Sequence, residues 1–553
     1  MAFEVILEAV GGMGRFQVVH VLLLSFPLLF MASHNLLQNF VAAVPDHRCH
    51  LGHNLNVTWG PLVGDLVTLF VPVDQQGRAD KCRLYAEPQW HLLWPNGTHG
   101  NGSGAETQPC TDGWEYDRSQ FSTTIVTEWD LVCERHALRH LVQSLYMAGV
   151  LAGSVVFGRL SDRYGRRTLL LWSHFQLAVS GTCGAFSTSF PLFCFWRFLT
   201  GMALSGISLN TLCLCLEWIP TKIRTSVATI CSYTYTAGQL LLPGVAYLIR
   251  DYHWLQLAIT LPSFLCFLYS WWFPESARWL VMRNKPEEAL KHLKRVANLN
   301  GRGQQGGELT VAMVECHMQA ELRSSKESFG VLDLFKTPVL RRTTFCTALV
   351  WFSTSFCYYG LAIDLQGFGV DAYLIQLIFG AVDIPAKLVG FCTMSYIGRR
   401  FSQASSLIMA GVVILINIFI PEELRALRTG FAAFGKGCLS AAFACCFLHA
   451  GELYPTVIRQ TGVGLVNTIA RVGAMVAPLV RLAADQLPFL PMAIYGAMAL
   501  IAGASACWLP ETLNRPLPDT VEEVENRARQ EMMQKRELAE PQGTQIPMME
   551  QSV

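Results

Sequence analysis

Three cations stand inside apolar runs that should exclude them: Lys387, Lys436 and Arg471. A charge near the centre of a bilayer-spanning helix costs about 2.5–3.5 kcal/mol on insertion scales, so each needs a reason to be there. No acid stands at i±3 or i±4 from Arg471. A guanidinium without a fixed partner offers a planar fork of N–H donors that takes both oxygens of a carboxylate or sulfonate. The alternative is an interhelical pair with an acid on another span. Lys387 follows Asp383 by one helical turn with Pro385 between them, so ligand contact and a loose local ion pair are both open. For Lys436, flanked by Gly435 and Gly437, a structural role or snorkelling towards lipid weighs at least as much as ligand binding.

Aromatic residues recur at matching depths: Tyr233 and Tyr235, then Trp351, Phe352, Phe356, Tyr358 and Tyr359, then Phe443 and Phe447. Taken alone, such a stripe is ordinary packing. Bond-making chemistry finds no support, because there is no Ser/His/Asp set, no metal-ligand spacing and no phosphate-cradling glycine loop, and the 14 histidines are scattered. An enzyme is not expected. Neither is a metal or an organic cofactor, with chloride kept only as a modulating ion.

The elements that hold these side chains follow from composition. Of 553 residues, 52% are hydrophobic and 15% charged, well below the charge of soluble domains. Apolar windows long enough to cross a hydrocarbon core of about 30 Å begin near Phe16, Leu138, Thr168, Phe190, Thr225, Trp254, Thr343, Asp371, Phe401, Arg428, Ile458 and Pro488. The expected fold is therefore an all-α membrane protein of twelve transmembrane helices. The net charge of +1 comes without any basic patch interleaved with aromatics, so the lipid bilayer, not nucleic acid, is the expected partner. Lys and Arg gather after spans 2, 4, 6 and 8, at Arg163, Arg166 and Arg167, at Lys222 and Arg224, from Arg278 to Arg295, and at Arg399 and Arg400. By the positive-inside rule these loops and both termini are cytoplasmic. The first apolar run, from about Phe16 to Val44, exceeds a signal-peptide core and reads as a retained span.

Between spans 1 and 2, residues 45–137 change character and read as an extracellular loop. They hold the sequons at Asn56, Asn96 and Asn101, and four of the 18 cysteines, Cys49, Cys82, Cys110 and Cys133. Two disulfides are expected there, with all three pairings open. The other cysteines lie almost entirely in spans, as small buried thiols. A polar connection with helical stretches such as Pro286 to Ala297 joins the halves, and the tail beyond Pro510 reads as mostly disordered.

Three phrases are written twice. Glu217, Pro220, Thr221, Ile223 and Arg224 return as Glu452, Pro455, Thr456, Ile458 and Arg459; Gly165-Arg166-Arg167 returns at Gly398; Pro274-Glu275-Ser276 returns as Pro510-Glu511-Thr512. Their spacings of 235, 233 and 236 residues report one period of nearly half the chain, hence two copies of one unit. The expected division is 1–15 for the N-terminus, 16–274 and 343–509 for the six-helix halves, 275–342 for the linker and 510–553 for the tail.

Gly158 to Arg167, with Asp162 among arginines, resembles the signature loop of the major facilitator superfamily. Arg197 followed by Gly201 and Gly206 resembles a second motif, and Pro274 to Leu280 the motif of the sugar and organic-ion branches. Met1-Ala2-Phe3, Gly14 to Gln17, Ala32 to Asn35, Cys110 to Trp114, Ser122 to Cys133 and Gly451 to Arg459 are similar to the organic anion transporters of solute carrier family 22. The nearest likeness is to the renal multispecific exchangers and their olfactory relative. This resemblance implies two six-helix halves around a cavity that opens alternately to each side. It also implies that Asn35, Ser208, Tyr235, Trp351, Tyr358, Tyr359, Lys387, Phe443 and Arg471 face the substrate, an aromatic cage with a cationic floor. Asp162, Arg166, Arg167, Glu217, Arg224, Glu275, Arg278, Glu452 and Arg459 would then form hinges and gates. The implied activity is transport of organic anions across the plasma membrane, by exchange for an intracellular dicarboxylate such as 2-oxoglutarate or glutarate. An organic cation or zwitterion carrier and a non-transporting receptor are the alternatives.

Overall fold

The computed structural model describes residues 2–50, 69–73, 79–89, 106–220, 223–316, 330–363, 365–366, 370–421, 423–455, 457–485, 487–515, 518 and 520–539. The sequons at Asn56, Asn96 and Asn101 lie outside the described residues, as do Thr221, Lys222 and Thr456 of the repeated phrases. In hydrocarbon every backbone polar group must be satisfied within its own segment, so the apolar windows fold as helices. These are α1 (Arg15–Leu36), α2 (Ala137–Tyr164), α3 (Arg166–Ala185), α4 (Phe190–Glu217), α5 (Arg224–Leu248), α6 (Tyr252–Thr260, continued by Pro262–Ser270), α7 (Pro338–Ala362), α8 (Ala372–Tyr396), α9 (Arg399–Ile418), α10 (Arg425–Leu453), α11 (Arg459–Val480) and α12 (Leu490–Ala506).

Among the described residues, eight of them, α1, α2, α4 and α7 to α11, are long and apolar enough to cross a bilayer by length and composition alone. The others depart from that ideal for local reasons. α5 carries a run of Ser, Thr and Tyr, and α12 has 17 residues. α6 is divided because Pro262 has no N–H to donate; Leu261 keeps helical angles of φ −51° and ψ −42°. Pro385 does not interrupt α8.

Helix packing repeats with a shift of six. α1 packs on α5 as α7 packs on α11, α2 on α4 as α8 on α10, α3 on α4 as α9 on α10, and α3 on α6 as α9 on α12. The halves meet along α2 with α11 and α5 with α8, two contacts related by the same shift. Each six-helix unit is therefore one copy of the duplicated sequence.

At one end of the bundle sits a small domain that the sequence left without secondary structure. β1 (His47–Cys49) pairs antiparallel with β4 (Trp114–Tyr116), and β2 (Arg83–Tyr85) with β3 (Thr107–Pro109). Three-residue strands are too short to leave a period of two in the sequence. The disulfides are Cys49–Cys110 and Cys82–Cys133. This domain holds the first half by the Ser122 N–H to Arg250 oxygen bond (3.1 Å), by Arg250 Nη1 to the Ser119 oxygen (3.0 Å) and by Trp129 against Phe190 and Phe193.

At the opposite end the chain's first helix, Ala2–Ala9, shares a core with Ala277–Met282 and Pro286–Leu299: Ile6, Leu7, Val10, Leu280, Leu293 and Val296 are buried together. The tail differs from the expected disorder, because Val521–Ala539 is helical. Glu522 and Glu523 stand in its first turn, where they favour the helix dipole, and Glu523 pairs with Arg527 one turn on. Glu525 accepts the Val339 N–H at 3.0 Å, which ties the helix to the start of α7.

Candidate functional site

Two matched clusters of charge lie at the end opposite the disulfide domain. In the first half, Glu275 accepts the backbone N–H groups of Arg166 (2.9 Å) and Arg167 (3.1 Å), at the start of α3. In the second, Glu511 accepts those of Arg399 (2.8 Å) and Arg400 (3.1 Å), at the start of α9. A carboxylate over the first N–H groups of a helix satisfies orphan donors and the dipole together. The turn into each helix needs a glycine, with φ +98° at Gly165 and +129° at Gly398. Space demands it as well, since a Cβ would stand 2.4 Å from Glu275 Oε2 and 2.5 Å from Glu511 Oε2.

The arginine heading each helix then reaches a carboxylate from the neighbouring span. Arg166 Nε is 3.5 Å from Glu217 Oε1, and Arg399 Nε is 3.1 Å from Glu452 Oε2. Arg224 Nε donates to the Ile219 oxygen and Arg459 Nε to the Tyr454 oxygen, each five residues back. The first cluster alone has an acid in the turn: Asp162 pairs with Arg166 (3.1 Å), and its backbone oxygen accepts from Trp279 Nε1 and Arg283 Nη2. Arg278 is half-buried beside Glu217. The sequence-derived gating residues thus gather into two equivalent clusters. Partial burial works to raise the Glu511 carboxyl, but the N–H groups of Leu513, Arg399, Thr512 and Arg400 hold it below the usual range.

Mid-depth, symmetry stops. Asp383 on α8 pairs with Lys436 on α10 at 2.9 Å, both side chains essentially without solvent exposure. Lys436 Nζ also donates to Gln239 Oε1 (3.1 Å) and the Phe379 oxygen (2.8 Å), while Gln239 Nε2 donates to Tyr358 Oη and Asp383 Oδ2 (3.1 Å each). Two alternatives left open by the sequence are decided here, and the structural role is the one found for Lys436. Lys436 does not snorkel to lipid, because a buried acid on the facing helix holds it. Asp383 does not pair with Lys387, whose ammonium crosses to the other half and donates to Thr236 Oγ1 (2.8 Å) and the Ser232 oxygen (3.1 Å).

Next to this sealed network lies an aromatic group in which Tyr146, Tyr358 and Tyr359 are buried. Tyr146 donates to Asn35 Oδ1 (2.6 Å), Asn35 Nδ2 donates to Tyr235 Oη (3.0 Å), and the Tyr359 hydroxyl lies beside Tyr235. Tyr358 meets Tyr359 at 5.4 Å and Phe443 at 5.5 Å, edge to face. Tyr235, Phe443 and Lys387 are half-buried. Trp351 is 1% exposed and packs on Phe447 at 4.6 Å, so it backs the group from within the core. Ser208 is half-buried on α4 and has no hydrogen bond to the others among the described residues.

Arg471 is half-buried on α11, within electrostatic reach of the Tyr146 phenol. Among the described residues it has neither an ion pair nor a hydrogen bond. The sequence treated mid-depth cations as a property of the second half, and the structure adds one in the first. Arg197 on α4 is 1% exposed and lies over the Tyr146 ring at 4.5 Å, with Nε and Nη2 unbonded among the described residues. Its position in a family motif was visible, but its loneliness was not, since that depends on which helices surround it.

The chain's likeness to known proteins agrees with this architecture. The sugar (and other) transporter family matches residues 112–523. Solute carrier family 22 member 6-A of Xenopus laevis is 55% identical over 95% of this chain and 94% of its own length. The member 6 protein of Danio rerio is 54% identical over 95% of both chains, and member 20 of Mus musculus 49% over 96% and 95%. Among solved structures, the xylose transporter XylE from E. coli, in a partially occluded inward-open conformation, aligns with a TM-score of 0.59 and 14% identity over 91% of this chain and 99% of its own. The duplicated six-helix unit, the paired glycine turns and full-length relatives at about half identity converge: this chain belongs to solute carrier family 22 of the major facilitator superfamily, a family of membrane transporters and not of enzymes.

Proposed function

We propose that the protein carries organic anions across the plasma membrane, in exchange for an intracellular dicarboxylate of the 2-oxoglutarate or glutarate type. The observation that carries this reading is the contrast between two buried cations. Lys436 is saturated by Asp383, Gln239 and a backbone oxygen, whereas Arg471 stands half-buried within electrostatic reach of Tyr146, with its fork unengaged among the described residues. A planar fork near Tyr146, which Asn35 links to Tyr235 in the aromatic group, suits an anion with an aromatic or amphipathic body. Lys387, reached from the other half, supplies a second positive charge.

The exchange component rests on energetics. An inward-negative potential opposes anion uptake by about 2.3 kcal/mol per charge at 100 mV, so accumulation needs a driving gradient. A dicarboxylate leaving the cell down its own gradient, loaded on the same arginine from the other side, provides it. Both termini and the glycine-turn clusters face the cytoplasm in this reading, and the disulfide domain faces outward. The two clusters act as hinges because their charges exchange partners when neighbouring helix ends move. An organic cation carrier fits less well, since the only mid-depth acid among the residues named above, Asp383, is already paired.

Labelled p-aminohippurate, estrone sulfate, urate and tetraethylammonium should be compared in expressing cells, with and without glutarate preloading. Anion uptake stimulated by preloading is expected, and its loss in Arg471→Ala at normal surface level. Uptake of the cation alone would sink the proposal. Anion uptake indifferent to glutarate would keep the substrate class and discard the exchange.

A further inference from the structure

On the flank of the first half, four aromatic rings touch in sequence across the seam of α3 and α6. Trp172 meets Phe175 at 6.0 Å, Phe175 meets Phe267 at 5.9 Å, and Phe267 meets Trp271 at 6.3 Å. Trp172, Phe175 and Trp271 are 57%, 46% and 59% exposed, so this ladder faces away from the bundle. It ends on charge. The Arg167 guanidinium lies 5.8 Å from the Trp271 ring and donates from Nη2 to the Trp271 oxygen at 2.8 Å, while its Nε is buried and unbonded among the described residues. Arg295, from the amphipathic helix Pro286–Leu299, lies over the adjacent Trp272 at 5.8 Å.

The charges around this point are predominantly positive. His292 lies within reach of Arg167, Arg295 and Lys291; burial first, then these cations, push its imidazole below the ordinary value, and Glu288 opposes them. Lys291, Lys294 and Arg295 line an open recess of about 600 Å³ together with one acid, Glu287. Of the nearby acids, Glu287 and Glu288 stand in the helix's first turn, where Lys285 takes Glu288 at 3.3 Å, and Glu275 is engaged by the backbone N–H groups of Arg166 and Arg167. Phe175 is eight residues along α3 from Arg167, a rise of about 12 Å. Cations at one end and exposed rings reaching that far into the hydrocarbon match the two ends of one kind of molecule.

We propose that this seam binds an anionic phospholipid of the cytoplasmic leaflet, its headgroup among Arg167, Lys291 and Arg295 and one acyl chain along the Trp172–Trp271 ladder. The leaflet follows from the orientation inferred above, but the binding does not depend on what the protein transports. Juxtamembrane cations gain from an anionic surface, and Trp at a span's end favours the interface. The lipid thereby ties the linker helix to the glycine turn at the head of α3.

The test is a titration of the purified full-length chain, read by native mass spectrometry, with phosphatidylserine, phosphatidylcholine and chain-free glycerophosphoserine. Phosphatidylserine should bind in preference to phosphatidylcholine. Lys291→Gln with Arg295→Gln should weaken it about tenfold or more, Arg295→Lys far less. Trp172→Ala should weaken it too, while glycerophosphoserine should not measurably bind. Lys291 and Arg295 are exposed, so thermal unfolding of the lipid-free variants checks their fold. Should the double variant fold poorly, Trp172→Ala decides. Equal affinity for phosphatidylcholine, unchanged binding in the variants, or glycerophosphoserine binding as tightly as the lipid would each overturn the proposal. Because binding is read without substrate, its failure leaves the transport reading untouched.

Discussion

The glycine-turn ends of the two halves and their mid-depth interiors have diverged to different degrees. At the turns, Glu275 and Glu511, Arg166 and Arg399, and Glu217 and Glu452 occupy equivalent places with equivalent bonds. At mid-depth the charged groups differ among the described residues: the second half has the Asp383–Lys436 pair, Lys387 and Arg471, while the first has Arg197 over Tyr146 and the Asn35 amide. In the proposed transport cycle, parts that move in concert would stay alike, whereas parts that recognise a cargo need only one copy and are free to differ.

The most damaging way to probe the interior is to split its closed pair. Lys436→Met strands Asp383 without a counter-charge and should cost about 3–5 kcal/mol, seen as loss of folded protein at the surface. Adding Asp383→Asn should restore much of it. A fully stable single variant would show that the pair is not the structural element described here.

Arg471 should behave in the opposite way. Arg471→Ala should leave folding intact and weaken anion handling by about 10- to 100-fold, the worth of a charge-assisted bond. Measured surface level and apparent affinity separate a folding role from a binding role, and a folding defect would place Arg471 with Lys436.

Symmetry at the turns is tested by matched variants. Glu275→Ala and Glu511→Ala each leave two N–H groups of a helix start unsatisfied and should each cost about 1–3 kcal/mol. Unequal losses of thermal stability would break the equivalence. The pH dependence has a definite sign: the Glu511 carboxyl is held below its ordinary value by backbone donors despite burial. Its contribution is therefore present above the unfolded value of about 4.3 and lost as pH falls through the lower folded one. The thermal midpoint should be flat from about pH 5 to 8 and fall below about pH 4, less steeply in Glu511→Gln.

The smallest effect is expected at Lys387, whose present bonds are to a hydroxyl and a backbone oxygen. Lys387→Gln should change apparent affinity by about tenfold at most, read as a shift in KM for a dianion larger than for a monoanion.

Much of this was legible before any coordinates. Hydropathy and a single period placed the helices and the matched turns, because span length and loop motifs are local properties. Arg471 also read correctly as lacking a partner on its own helix. What the sequence left open shares one cause, the arrangement of elements in space. Asp383 stands one turn from Lys387, and sequence proximity suggested that pair, but α10 brings Lys436 closer. The isolation of Arg197 and the burial of Trp351 against Phe447 likewise depend on which helices face each other, and the disulfide pairing on how the short strands of the outer domain pair. The tail helix was missed because its support, Glu525 on the Val339 N–H, comes from far along the chain.

The disulfide domain is fastened unevenly. Arg250, Phe190, Phe193 and Tyr252 hold it to the first half, whereas the second half reaches it through Tyr373, by a 3.4 Å bond to the Gln120 oxygen and a ring contact with Phe121, and reaches its entry through Gln366, which exchanges hydrogen bonds with Val44 at 3.0 and 3.1 Å. It should therefore travel as cargo of the first half during any rocking motion. A fluorophore carried on this domain, paired with one at the far tip of α9 and α10, would turn each transport cycle into a change of distance. An antibody fragment bound across the Tyr373 contact would act as a brake.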